Sequence, residues 1–211
     1  MQNNKVQNRR QLKTRQAGWA QALGGALAKS GLTPNAISTI GILFAALGAW
    51  AFIESPWYYW PWLWLVAAVC IQLRLLANML DGLVAVEGGK KSATGALFNE
   101  LPDRIEDALL LVGAGYAAGT PEVGYWATIL AFGTAYIRMT GGALGFEQDF
   151  SGPMAKQHRM FVLTVGAVAS FFFSQQWQVM VWTLMLIIAG SLLTCVLRTL
   201  RIARQLKARG G

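Results

Sequence analysis

Charge is what this chain has least of. Of its 211 residues only 13% are charged and 55% are hydrophobic, and the mean hydropathy is +0.40. A soluble domain carries about a quarter charged residues, so the composition excludes one and marks an integral membrane protein. Cysteine is nearly absent. Cys70 and Cys195 both lie inside apolar runs, which excludes a disulfide framework or a zinc site and leaves two buried thiols. His158 is the single histidine, and a lone histidine in a basic loop is weak ground for a catalytic role. Acidic residues are short as well, 10 against 18 Lys and Arg, for a net charge of +8. The excess is not spread as a nucleic-acid binder would need, so no nucleic-acid partner is expected. No repeat or low-complexity tract is visible. The basic segment MQNNKVQNRRQLKTRQ is followed by no short apolar core with a cleavage site, so a cleaved signal peptide is not expected.

What is present is a series of apolar runs. Residues 10–32 set Trp19, Leu23, Leu27 and Leu32 at helical spacing beside Arg10, Lys13, Arg15 and Lys29. That pattern predicts an amphipathic helix on an anionic membrane face, with a solvated basic tail as the alternative. Thr33-Pro34-Asn35 marks a boundary, since proline disfavours helix before it and suits a helix start. Residues 36–53 are apolar and uncharged, close to the ~20 needed to cross a bilayer. A loop over 54–60 follows, and Trp57, Tyr58, Tyr59, Trp60, Trp62 and Trp64 read as an interfacial belt. Further spans are expected at 62–80, breaking at Asp81-Gly82, and at 93–118, 125–140, 160–174 and 179–197. The expected fold is all-α: a polytopic membrane protein with six transmembrane helices and an N-terminal amphipathic interfacial helix. Its parts are a basic segment at 1–32, a six-helix membrane domain at 33–200 and a basic tail at 201–211.

Every Lys and Arg falls in the N-terminal segment, the 62–80/93–118 connection, the 125–140/160–174 connection or the C-terminal tail, each taken with its helix ends. The three opposite loops have none. This segregation predicts both termini and the polar stretch on the cytoplasmic side of the cytoplasmic membrane.

Polar side chains then interrupt the apolar pattern at that edge. Asn78 and Asp81 are three residues apart, Asn99 and Asp103 four apart, so each pair shares a helical face. If their helices are antiparallel neighbours, four oxygen-bearing side chains converge, as a cation site requires. Ionisable residues at a membrane edge are costly and point to function. The alternative is that Asp81, Glu100, Asp103, Glu106 and Asp107 solvate helix ends and pair with Arg74 and Arg104. Hard oxygen ligands beside glycines and lysines suit Mg2+ or Mn2+ and phosphoanhydride chemistry, hence phosphoryl transfer. In the 145–160 connection, Arg138, Lys156, His158 and Arg159 offer an anion pocket for an acceptor or lipid head group; ordinary positive-inside charge is the alternative.

These residues resemble the CDP-alcohol phosphatidyltransferases, whose pattern D-x2-D-G-x2-A-R-x8-G-x3-D-x3-D the chain follows without a gap. Asp81, Gly82, Ala85, Gly95 and Asp103 match, whereas Asn78, Val86 and Asn99 replace Asp, Arg and Asp. The basic amphipathic segment, the Thr-Pro-Asn start and the six spans extend the likeness over nearly the whole chain. The resemblance implies a homodimeric, lipid-embedded enzyme that displaces CMP from CDP-diacylglycerol by an acceptor alcohol, using one or two Mg2+ or Mn2+ ions. It implies Asn78, Asp81, Asn99 and Asp103 at the metal, Asp103 as catalytic base, and Gly82, Ala85 and Gly95 where the nucleotide approaches the backbone. Arg138, Lys156 and Arg159 are the expected acceptor contacts. Amides at two acidic positions remove two negative charges. Either one ion suffices, or Glu100, Glu106 or Asp107 substitutes, Asp107 preferred because it follows Asp103 by one turn, or the protein binds lipid or nucleotide without transfer. Lys90 or Lys91 stands in for the arginine missing at Val86.

Overall fold

Thr33 opens the first long helix: its hydroxyl accepts from the Ala36 amide at 3.2 Å, and Pro34 occupies the first turn, where its missing N–H costs nothing. The structure is a computed structural model and describes residues 17–55, 60–87 and 95–210, without the side chains of residues 86, 87, 96, 99 and 174–177. The expectations that rest on Arg10, Lys13, Arg15, Trp57, Tyr58, Tyr59, Val86, Lys90, Lys91 and the Asn99 side chain lie outside the described residues.

The described elements are all helices: α1 (Gly18–Lys29), α2 (Pro34–Glu54), α3 (Trp62–Glu87), α4 (Gly95–Ala117), α5 (Pro121–Ala143), α6 (Lys156–Trp177) and α7 (Val179–Gly210). Among the described residues, Pro34–Glu54, Trp62–Ala85 and Val179–Gly210 are long and apolar enough to cross a membrane. α1 packs on α3. Ala20 and Gly24 are buried there, while Trp19 is 56% exposed.

The six long helices close into a ring. Contacts run from α2 to α3, α3 to α6, α6 to α7, α7 to α5, α5 to α4 and α4 back to α2. The expected neighbours α3 and α4 therefore touch only briefly, because α2 packs along both. Small residues permit this closeness: a β-carbon at Gly113 would lie 2.9 Å from the Ala49 Cα, and one at Gly115 would lie 2.8 Å from the Gly124 Cα. Large side chains such as Tyr136, Trp182, Phe161 and Phe172 face outward, as a lipid-facing surface demands.

Two sequence expectations change. α3 does not break at Asp81-Gly82 but runs to Glu87, because Leu83 and Val84 are buried in a cluster with Ala20, Ile37 and Leu80. That burial outweighs the roughly 1 kcal/mol that an internal glycine costs. Trp64 leaves the aromatic belt, since it is buried edge-on against Phe52 at 5.9 Å, whereas Trp60 and Trp62 stack at 5.6 Å and stay half exposed. The segment from residue 201 continues α7 as helix through Gly210.

Candidate active site

Two apolar clusters divide the ring along its length. On α2 the gap between them falls from Ile37 to Ala45, and on α3 from Ile71 to Ala77. The polar side chains fill this level.

Arg74 is the hub on α3. Fully buried, it donates through Nε to Glu106 Oε2 at 2.5 Å and through Nη2 to Asp107 Oδ1 at 2.7 Å. Asp107, also fully buried, accepts at its other oxygen from Arg159 Nη2 of α6 at 2.5 Å. One turn on from Arg74, the Asn78 amide donates to Asp103 Oδ1 at 2.9 Å and to Glu106 Oε2 at 2.8 Å. Lys156, the first residue of α6, also bonds Asp103 Oδ1, and Arg104 lies 3.6 Å from Oδ2. Asp81, three residues beyond Asn78, turns toward α2, where the Ser38 hydroxyl donates to its Oδ2 at 2.7 Å. Asp81 Oδ1 and Glu106 Oε1 are buried and have no hydrogen-bond partner.

The predicted acceptor contacts divide. Lys156 and Arg159 join the central network through Asp103 and Asp107. Arg138 on α5 stands apart: it grips both Glu100 oxygens at 2.7 and 2.6 Å, reaches Gln148 at 2.9 Å and lies 4.8 Å over the Phe150 ring. Arg198 of α7 was not anticipated, because a sequence reading places it at the start of the basic tail. It is buried and donates to the main-chain oxygens of Ser151 at 3.0 Å and Thr134 at 2.5 Å, with no carboxylate partner among the described residues. Ser38 was also missed, since one hydroxyl in an apolar run carries no periodic signal. In the 145–155 connection, burial pushes the Asp149 carboxyl up, but hydrogen bonds from Ser151 and Arg201 more than offset this and hold it below the usual carboxylate range.

Asn78, Asp81 and Asp103 are thus brought to one end of the ring, and Gly82 and Ala85 follow on the last turns of α3. Gly95 is the first residue of α4. Among the described residues, no three His, Cys, Asp or Glu side chains stand in metal-binding geometry.

The sequence profile of the CDP-alcohol phosphatidyltransferases matches residues 31–189. The chain belongs to this family. It is therefore an enzyme of phospholipid synthesis, one that displaces CMP from a CDP-linked lipid by an alcohol. Among relatives, it is 28% identical to the phosphatidylinositol phosphate synthase of Mycolicibacterium smegmatis over 168 residues, covering 74% of this chain and 72% of that one. With the synthase of Cutibacterium acnes the identity is 30% over 141 residues, 62% of this chain and 65% of that one. The fold is that of the Mycobacterium tuberculosis phosphatidylinositol phosphate synthase crystallised with CDP-DAG bound: TM-score 0.75 at 22% identity, covering 88% of this chain and 94% of that one. The same enzyme in complex with manganese and citrate gives a TM-score of 0.74 at 22% identity, over 87% and 88%.

Proposed function

We propose that the chain joins CDP-diacylglycerol to a phosphorylated alcohol at the polar end of its helix ring, with a divalent cation. The observation that carries this reading is the pair of buried carboxylates there, Asp81 and Glu106, each of which keeps an oxygen without a partner, beside the partly buried Asp103. Such orphaned oxygens are costly unless something meets them, and a hard cation does. Mg2+ or Mn2+ fits this donor set, with Asp81, Asp103 and the amide oxygens of Asn78 and Asn99 as its ligands. Asp107 is left to a positioning role, because both its oxygens already hold arginines. The cation, when bound, neutralises the phosphates and the departing CMP.

Asp103 is the base. It takes the acceptor hydroxyl proton as that oxygen attacks the phosphorus attached to diacylglycerol, and the bond from that phosphorus to the bridging oxygen breaks to release CMP. Lys156 pairs with Asp103 and holds the carboxylate in place. Gly82, Ala85 and Gly95 offer the nucleotide a backbone without bulky side chains. Arg138 and Arg159 are taken as acceptor contacts together with Arg198, whose hydrogen bonds go to main-chain oxygens and not to a carboxylate. The names of the relatives support inositol phosphate as the first acceptor to try.

α2 to α7 are taken as six spans, α1 as lying on the membrane face, and the site and both termini as cytoplasmic, supported by the segregation of basic residues. A homodimer is part of the same reading.

Purified protein in lipid nanodiscs, given CDP-diacylglycerol and Mg2+, should release CMP with inositol phosphate and far less with inositol. EDTA should stop the release, and Mn2+ should restore it. CMP release that ignores EDTA, or that prefers the unphosphorylated alcohol, would sink the respective part of the proposal.

A further inference from the structure

Two of the positions that the resemblance assigns to acids are amides here, and three other acids lie within reach to compensate. Their oxygens decide between them. Glu100 gives both to Arg138, and Asp107 gives one each to Arg74 and Arg159. Glu106 gives only Oε2, to Arg74 and Asn78. Its Oε1 is buried and has no donor.

That oxygen lies against α2. Gly41 stands there, and a β-carbon on it would lie 2.5 Å from Glu106 Oε1 and 3.3 Å from Asn78 Oδ1. The missing side chain lets the charged Oε1 pack against the α2 backbone, with the Asn78 amide oxygen beside it. The Asn78 amide nitrogen is spent in tying Asp103 to Glu106, which leaves its oxygen on the same side as Oε1. Glu106 follows Asp103 by three residues and shares its helix face. A hard cation prefers such oxygens, and its affinity follows the charge they carry.

We propose that Glu106 is a cation ligand of this site, supplying through Oε1 the negative charge that Asn78 and Asn99 do not, with Gly41 leaving room for its carboxylate. The proposal rests on the divalent-cation reading above, and Arg74 then orients the ligand by holding its other oxygen.

Mn2+ affinity, read by electron paramagnetic resonance on the full-length protein in nanodiscs without substrate, tests this apart from turnover. Glu106→Gln and Gly41→Ala should each weaken Mn2+ binding about tenfold or more, and Asn78→Asp added to Glu106→Gln should recover most of the loss. Gly41→Ala leaves every charge in place and displaces only a flexible carboxylate, so it decides the matter if Glu106→Gln does not fold. Should both variants bind within about twofold of wild type while Asp103→Asn loses Mn2+, Glu106 is only a counter-ion for Arg74 and the proposal is overturned. A wild-type protein that binds no Mn2+ would overturn the cation reading itself, and this proposal with it.

Discussion

Arg74 bonds two carboxylates at once, and neither it nor Glu106 nor Asp107 has exposed side-chain surface. Taking such charges out of water is costly, and they persist together because each satisfies the other. Removing the cation alone leaves two buried negative charges without it. Arg74→Met should therefore lower stability by about 3–5 kcal/mol, seen as a large fall in the thermal midpoint of the purified protein in detergent. Arg201→Ala is the contrast. Its partner Asp149 lies 2.8 Å away, but Arg201 is 46% exposed, so its loss should cost no more than about 1 kcal/mol. Equal losses from the two substitutions would mean that the Arg74 network is not the buried framework described here.

At the scale of elements, helix contacts depend on glycine where backbones meet. α4 and α5 approach until Gly115 and Gly124 face each other, and neither has room for a side chain: a β-carbon at Gly124 would lie 2.7 Å from the Leu111 carbonyl oxygen. Backbone cannot yield as a side-chain tip can. Gly115→Ala should destabilise the protein by about 1–3 kcal/mol, by forcing these helices apart. Gly18→Ala meets nothing within 4 Å and should be neutral or slightly stabilising. Thermal unfolding of the two variants side by side checks the difference; a silent Gly115→Ala would show that α4 and α5 do not meet backbone to backbone. The continuation of α3 past Asp81-Gly82 belongs to this scale too, since burial of Leu83 and Val84 overrides a local break signal.

For the whole molecule, the order of helices brings the end of α3, the start of α4, the 145–155 segment and the end of α7 to the polar end of the ring. The starts of α3, α5 and α7 lie at the other end. Cysteines placed at Glu147 and Glu122, in a protein lacking Cys70 and Cys195, should then be labelled from opposite sides of the membrane. The charge bias puts Glu147 on the cytoplasmic side and Glu122 outside. Labelling of both from one side would break the six-span topology, and exchanged sides would reverse the placement of the site.

The sequence by itself determined the helical, membrane-embedded character of the chain and its family. Apolar runs and helical spacing are local properties, and Asp81, Gly82, Ala85, Gly95 and Asp103 keep a fixed spacing that needs no tertiary knowledge. It placed Asn78 and Asp103 each on a helix face at the same membrane edge, and their approach followed only if the two helices were neighbours. What only the tertiary structure decided is which oxygen each cation takes. Asp107 and Glu106 are adjacent in the chain and chemically alike, yet one has both oxygens held by arginines and the other keeps an oxygen beside Gly41. The same holds for Ser38 at Asp81 and for Arg198 beneath the 145–155 segment. Successive residues on a helix point about 100° apart, so what each one meets depends on the rotation of that helix and on which distant helix lies opposite. Packing of the whole ring sets both, and no local pattern of residues records them.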